Sequence, residues 1–208
     1  MPVIVIVPPQ PILDVQSLRR LTPGLDALDD DHLAMLIGVV QSTIEPDLGW
    51  PGRSFGRQTL ELLEEMFPAD YLPLPYPPVT SVVSVRYLDR DGSEQEIPAE
   101  RYRAELSDKI CGVRPAAGCE WPRSSWGFGA VRIRFVAGFT PEDPKLLPAK
   151  QAVSLGVQAL RAVNREDLFL RRERVEGVAE KEWAVNPQAE RLVREAADRL
   201  LQPYRVYV

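Results

Sequence analysis

Proline is the residue that most restricts how this chain can fold. Twenty of its 208 residues are proline, roughly twice the usual share of about 5%. Because proline fixes φ and lacks a backbone donor, this frequency limits helix length and favours turns, edge strands and extended connections. The length suits one ordinary domain. An apolar share of 45% and a charged share of 26% are those of a folded protein with a substantial core.

Charge and cysteine content exclude several classes of protein. The formal net charge is −5, so the chain lacks the basic excess that neutralises nucleic-acid phosphates. One histidine, His32, and two cysteines are too few for a four-ligand zinc site or a disulfide scaffold, and we expect a reducing, intracellular compartment. Cys111 and Cys119 are interpreted as two small buried residues in preference to a disulfide. The apolar run at 3–7 is too short for a signal peptide or a membrane span.

Three segments have the pattern of helices. The first follows an acidic N-cap at Asp29–Asp31 and repeats apolar residues at helical spacing up to Ile44, with His32 expected to be solvated. The second begins near Pro148, is apolar nearly all round and is expected to be buried. The third begins at Pro187. Its predicted buried face comprises Ala189, Leu192, Val193, Ala196 and Leu200.

Short strands are predicted between the first two helices. Residues 57–67 fit a strand and a helix equally well, whereas 71–78 is so rich in proline that it predicts an extended connector at a sheet edge. A hairpin is expected over 83–97, and further strands at 102–105, 109–113 and 131–135. We expect these strands to form one small antiparallel sheet. Arg132 and Arg134 on its solvent face are interpreted as solvated or ion-paired, not as a nucleic-acid stripe.

Three segments carry residues suited to contacts with a partner. The loop holding Trp121, Trp126 and Phe128 is either a satellite core or a peripheral contact surface. The charged segment 165–182 is exposed and mobile or lies between subunits. The C-terminal segment 204–208 is rich in aromatic and β-branched residues, and it either binds a partner or folds back on its own domain.

The motifs of common enzymes do not occur in the sequence. It has no phosphate-binding glycine loop, no nucleophile elbow and no paired histidines for zinc. With a single histidine, nucleophile–base arrangements built on that residue are almost excluded. We therefore predict no catalytic residue, no metal site and no cofactor, and we favour a structural or interaction protein over an enzyme.

The order of these segments resembles the head-tail connector proteins (adaptor or head-completion proteins) of long-tailed bacteriophages and the related gene transfer agents. The resemblance covers roughly residues 28–208 and rests on collinear pieces, each weak alone. These are the helix Asp30–Glu45, the strand entry Gly56–Thr59, the proline-rich lead-in Leu72–Val79 with the hairpin Ser81–Gly92, the strand Val131–Phe139, the helix from Leu147 to Glu166, and the end Leu200–Tyr207. The resemblance favours a strand over a helix for residues 58–62. The N-terminal arm and the loop 121–129 depart from the family.

The resemblance implies a non-enzymatic virion protein that forms a homo-oligomeric ring, usually a dodecamer, under the portal at the neck of the particle. Such a ring extends the DNA channel without binding particular DNA sequences and provides the platform on which the stopper or tail docks. It would assemble in the bacterial cytoplasm, with no membrane involved. The implied portal contacts are Tyr204, Arg205, Val206, Tyr207 and Val208. The candidates for contacts between subunits or with the stopper are Arg171, Arg172, Arg174, Glu176, Glu180 and Trp183.

The expected fold class is α+β, organised as a single adaptor domain over 1–208. It would have an extended arm at 1–27, a helical core at 28–56 and 145–202, an inserted β region at 57–140 and a C-terminal tail at 203–208. The alternatives are another neck or tail-completion protein of the stopper type, which would be richer in strands, and a small phage-encoded enzyme, which would need a clustered acidic metal site.

Overall fold

The structure, a computed structural model, describes residues 2–22, 25, 28–46, 48–108, 110–164, 173–175, 179–181 and 187–206. It is α+β, as the sequence predicts. The chain divides into two compact units. The sheet unit consists of Met1–Ile12, Ile44–Asp143 and Tyr204–Val208, and the helical unit consists of Leu13–Thr43 and Pro144–Pro203.

The sheet unit holds eight strands, which are β1 (Val3–Val7), β2 (Gln58–Glu64), β3 (Leu72–Pro73), β4 (Val79–Leu88), β5 (Glu94–Glu96), β6 (Tyr102–Glu105), β7 (Gly112–Pro115) and β8 (Val131–Ala137). The helical unit holds α1 (Val15–Leu21), α2 (Asp30–Ser42), α3 (Leu147–Asn164), β9 (Glu173–Val175), β10 (Ala179–Lys181) and α4 (Pro187–Leu201). Short 3₁₀ helices occupy Ala99–Arg101, Pro144–Leu146 and Gln202–Tyr204.

The larger sheet has five strands in the order β1-β2-β8-β4-β5, and every neighbouring pair is antiparallel. Its centre alternates as the sequence predicts: Leu60, Leu62, Ile133 and Phe135 have no exposed surface. On the other face the Arg134 guanidinium contacts the Glu61 carboxylate at 2.8 Å. This ion pair confirms the interpretation of the arginine stripe as paired with acidic neighbours across the sheet.

The predicted hairpin is present, with Arg86 of β4 opposite Glu96 of β5. Its simple alternation is broken, however, because the register between β4 and β8 shifts twice, between Val79 and Ser81 and between Val82 and Ser84. A bulge inserts one residue and moves the following side chains to the opposite face. Val83 is therefore 54% exposed, while Val85 is fully buried.

The expectation of one sheet is wrong, since β3, β7 and β6 form a separate three-stranded antiparallel sheet in that order. Leu72, Leu74 and Val113 from this region belong to the same buried cluster as Val85 and Ile133 of the larger sheet. A sheet that is apolar on one face must be covered by a second layer. The strands near residues 102–115 supply that cover. The proline-rich connector contributes β3 at the edge of the second sheet, as predicted.

The N-terminal arm is not simply extended. Its first strand, β1, pairs with β2 and places Val3 opposite Leu62, and α1 follows within the segment assigned to the arm. Asp14 caps this helix by accepting a hydrogen bond from the Ser17 amide at 2.8 Å. Hydrogen bonds from Ser17 to this carboxylate hold the pKa of Asp14 below its ordinary value.

In the helical unit α2 agrees with the prediction. Asp29 is its N-cap, its buried face is formed by Leu33, Leu36, Ile37 and Val40 with Gln41, and His32 is exposed. The helix packs on α3 where Gly156 faces Val40, since a Cβ atom at position 156 would lie 2.5 Å from Val40 Cγ1. Glycine thus permits the close approach of these two helices.

The longest helix, α3, has no exposed residue between Pro148 and Arg161, in keeping with its predicted burial. A buried hydrogen bond of 2.8 Å joins the hydroxyl oxygens of Thr22 and Ser154. It supplies partners for two polar groups that would otherwise be costly to bury.

The predicted buried face of α4 is right at Val193 and Leu200, which are half-buried, and wrong at Leu192 and Ala196. Leu192 is 65% exposed and Ala196 is also exposed, whereas Val193 and Ala197 are half-buried and Leu201 is buried. Apolar residues form two adjacent stripes on this helix, 192/196/200 and 193/197/201, so periodicity alone does not choose between them. Among the described residues, none of the helices combines the length and apolarity that crossing a bilayer requires.

Candidate interaction surfaces

Tyr204 begins the C-terminal segment and packs inside the sheet unit. Only 8% of its surface is exposed. Its ring meets Phe55 edge-on with centroids 5.1 Å apart and Phe139 with centroids 6.4 Å apart. Edge-to-face pairs of this kind add to the stabilisation that burial of the ring provides.

Arg53 fixes the backbone of the same segment. The side chain is buried, its Nε donates to the Tyr204 carbonyl at 3.0 Å, and its guanidinium lies 5.8 Å from the centre of the Phe139 ring. Burial lowers the pKa of Arg53, and the Asp108 carboxylate opposes that shift. A second backbone bond of 2.9 Å runs from the Val206 amide to the Pro51 carbonyl. We call residues 50–55 with Phe139 the C-terminal clamp.

A buried carboxylate holds the loop that presents the clamp. Glu45 is 4% exposed and accepts hydrogen bonds from the Phe55 amide at 3.1 Å, the Gly56 amide at 2.8 Å and the Gln58 side chain at 2.9 Å. Hydrogen bonds to its oxygens offset the cost of burying this carboxylate inside the protein. Sequence reasoning missed both Glu45 and Arg53, because neither lies in a motif. The Arg53 partner Tyr204 is also far away in the chain, whereas the donors to Glu45 lie in the loop and strand that follow it.

Of the two alternatives for the C-terminal segment, Tyr204 therefore follows the second, because it folds back on its own domain. Arg205 is exposed, Val206 is half-buried, and the Arg205 guanidinium lies 6.0 Å from the Trp50 ring centre. Tyr207 and Val208 lie outside the described residues. Portal binding by this segment stays a prediction, and the residues through which it would act are those after Tyr204.

In the loop that holds Trp121, Trp126 and Phe128, the three rings do not share one environment. Trp121 stacks on Phe67, with ring centroids 4.7 Å apart and planes 9° from parallel. Its Nε1 donates to the Asp70 carbonyl at 3.3 Å, and both rings pack against the core of the sheet unit. Trp121 thus belongs to a satellite core.

Trp126 and Phe128 instead point outward. They are 76% and 74% exposed, although the loop backbone is tied down by bonds from the Ser125 amide to the Leu88 carbonyl at 2.8 Å and from the Gly127 amide to the Glu65 carbonyl at 3.3 Å. Two large rings held in solvent on an anchored loop suit a contact surface, and that role stays a prediction.

The charged segment is described only in part. Arg174 lies in β9 opposite Glu180 in β10. Arg171, Arg172, Glu176 and Trp183 lie outside the described residues, so the proposed subunit or stopper contacts remain predictions.

Chemical groups in the described part of the chain give no sign of a reactive centre. No group of three or more His, Cys, Asp or Glu side chains is placed to hold a metal ion there. Cys111 is buried and Cys119 is half-buried, both as free thiols. The Cys111 thiol donates to the Ser107 carbonyl at 2.9 Å, which agrees with its interpretation as a small buried residue.

Comparison with known proteins identifies the fold. No family model matches the chain, and no curated protein matches its sequence. Solved structures that contain chains of similar fold include the neck of an empty gene transfer agent (GTA) particle computed with C6 symmetry (TM-score 0.67, 21% identity), the virion of a native GTA particle (0.69, 20%), and the neck of a native GTA particle computed with C12 symmetry (0.67, 22%).

The chain shares their fold. Each match covers 100% of this chain and 97% of the other, so the likeness includes both units. The α+β fold that the family resemblance implies is thereby confirmed.

Proposed function

We propose that this chain is a head-tail adaptor, a structural protein of the neck of a phage-like particle. The observation that carries the proposal is the fold match over the whole chain to chains of GTA neck and virion structures. The order of sequence pieces that resembles the adaptor family supports it independently. In this role the subunits form a ring under the portal, extend the DNA channel and offer a platform to the stopper or tail.

A ring follows from one kind of contact. When a surface on one copy binds a different surface on the next and the rotation closes, a cyclic oligomer results. Two necks that contain chains of similar fold were computed with C6 and C12 symmetry, which supports a ring, and the number of twelve subunits comes from the family resemblance. A net charge of −5 suits a channel through which DNA must slide, because an acidic wall does not hold phosphates.

The C-terminal segment is the proposed portal contact. Since the clamp holds Tyr204, the residues that would reach a partner are Arg205 to Val208. The charged residues of 165–182 would contact a neighbouring subunit or the stopper. The place of action would be the portal vertex of the virion, after assembly in the bacterial cytoplasm.

The decisive experiment measures mass by light scattering for the purified protein alone and after mixing with the portal protein encoded beside it. We expect a complex with about one copy of this chain per portal subunit, even if the free protein is a monomer. A monomer that ignores the portal would overturn the proposal and favour a stopper-type protein. In that case calorimetry with Mg²⁺ or Mn²⁺ would test the enzyme alternative, because a metal-dependent nuclease should show a specific site.

A truncation tests the portal contact separately. Removal of Tyr207 and Val208 leaves the clamp intact, so we expect an unchanged melting temperature and at least tenfold weaker portal binding. Removal of all five residues from Tyr204 should also lower the melting temperature and serves as the matched comparison. If the two-residue truncation binds the portal as tightly as the full chain, the contact lies elsewhere.

A further inference from the structure

Among the described residues, no strand pairs with the outer side of β1, which forms one edge of the five-stranded sheet and is entirely apolar. β1 is the first strand in the sheet order and reads Val-Ile-Val-Ile-Val, with Ile4, Ile6 and Val7 between 39% and 49% exposed. Exposed apolar edge strands invite pairing with another chain, and proteins usually protect them with charges or by making them short. The opposite edge, β5, has that protection, since it consists of three exposed residues, Glu94, Gln95 and Glu96.

The register shows which backbone groups of β1 face the open side. The Leu63 amide donates to the Pro2 carbonyl at 3.0 Å, and the pairs that follow are Val3 with Leu62, Ile4 with Glu61 and Val5 with Leu60. Hydrogen-bonded and non-hydrogen-bonded pairs alternate along an antiparallel ladder. Ile4 therefore bonds to β2, while the N–H and C=O groups of Val3 and Val5 point away from the sheet.

A cavity continues this edge beyond Pro2. It has a volume of about 370 Å³ and is lined by Pro2, Leu63, Glu64, Glu65, Met66 and Phe128. Its walls combine exposed apolar groups, including Phe128 and Met66, with two acidic side chains. Glu64 Oε1 is buried and has no hydrogen-bond partner among the described residues. A buried carboxylate oxygen without a donor is costly and is best satisfied by a cation.

We propose that this edge binds an extended segment of a partner protein, which adds to β1 as a sixth strand and inserts a lysine or arginine side chain into the cavity. Backbone bonds to Val3 and Val5 would supply affinity, and the cavity would supply specificity, as in other sites where a peptide strand joins a sheet. The negative charges of Glu64 and Glu65, which both line the cavity, favour a basic residue, and the Phe128 ring would cover its aliphatic stem.

Synthetic peptides test this without any neck protein. Two seven-residue peptides of alternating threonine and valine with blocked ends would be used, one with a C-terminal lysine for antiparallel addition and one with an N-terminal lysine for parallel addition. Matched peptides carry glutamate in place of lysine. We expect one lysine peptide to bind the full-length chain, to slow amide hydrogen exchange at Val3 and Val5 at least tenfold, and to bind at least tenfold more tightly than its glutamate counterpart.

Two variants localise the contact. Ile4→Lys puts a charge on the edge at an exposed side chain and should weaken binding at least tenfold. Val83→Lys places the same change at an equally exposed valine in the interior strand β4 and should leave binding unchanged. Glu64→Gln should remove the preference for lysine over glutamate.

Three results would overturn the proposal. The first is failure of all peptides to bind at millimolar concentration, and the second is equal binding of lysine and glutamate peptides. The third is self-association of the free chain, seen by sedimentation, that Ile4→Lys abolishes, because the occupant of the edge would then be a second copy. None of these results bears on portal binding, so the adaptor role is tested apart from this site.

Discussion

The C-terminal segment and the loop at 121–128 are both rich in aromatic residues, yet the structure treats them in opposite ways. Tyr204 is enclosed by Phe55, Phe139 and the Arg53 side chain, whereas Trp126 and Phe128 stand in solvent. Composition does not separate the two segments. What separates them is whether distant parts of the chain supply an apolar ring, a donor and an acceptor at the same place.

This difference bears on function because an enclosed aromatic contributes stability, while an exposed one remains available to a partner. Large exposed rings are the usual anchors of protein interfaces. The comparison therefore assigns Tyr204 to folding, whereas binding by Trp126 and Phe128 stays a prediction, and substitutions can test both.

The largest effect is expected at Tyr204. Tyr204→Ala removes a buried ring and leaves a cavity among Phe55 and Phe139, which should lower the free energy of unfolding by about 3–5 kcal/mol. Urea denaturation followed by fluorescence measures this. Tyr204→Phe keeps the ring and should recover most of the loss. A loss below about 1 kcal/mol for the alanine variant would contradict the assignment of Tyr204 to folding, since the segment would then behave as a free tail.

Substitution of the buried Arg53 should lower the free energy of unfolding more than substitution of the exposed Arg205. Arg53→Met leaves the Tyr204 carbonyl without its donor and should cost about 2 kcal/mol. Arg205→Met removes an exposed contact with the Trp50 ring and should cost about 0.5 kcal/mol. Thermal unfolding of the two variants side by side gives the difference. Equal costs would show that enclosure of Arg53 does not matter.

Local patterns predict much of the fold. The start of α2 follows from its aspartate cap, and β8 follows from strict alternation between apolar residues and arginines. The errors lie where the deciding atoms are far away in sequence. The bulges in β4 depend on β8, and the buried stripe of α4 depends on its neighbour. The helix α1 is an exception, since its cap at Asp14 is local and the helix is missed because it is only seven residues long.

The same reasoning explains which contact residues could be foreseen. Glycine and proline surround three aromatic residues in the sequence, Trp121, Trp126 and Phe128, and this makes them stand out. Trp121 is packed while the other two are exposed, because Phe67, more than fifty residues away, stacks on Trp121. Arg53 and Glu45 carry no signal in the sequence. Their roles come from the chain folding back on itself at the clamp.

Within the loop itself, Trp121 should contribute to stability. Trp121→Ala removes the stack on Phe67 and the bond to the Asp70 carbonyl, and because the side chain is only partly buried we expect a loss of about 2 kcal/mol. Chemical denaturation measures it. Trp121→Phe retains a ring for stacking and should cost less. An unaffected Trp121→Ala variant would move this residue to the exposed class.

The smallest effect on stability, and the sharpest division between folding and binding, is expected at the two exposed rings. Trp126→Ala and Phe128→Ala remove side chains that touch little of their own unit, so the free energy of unfolding should change by no more than about 0.5 kcal/mol. Phe128 lines the cavity at the end of β1, and its loss should weaken binding of the lysine-containing peptide at least threefold. Trp126 does not line that cavity and serves as the matched control for peptide binding. If Phe128→Ala instead lowers stability as much as Trp121→Ala, the whole loop is a satellite core. Its rings would then contribute to folding, as Tyr204 does at the clamp.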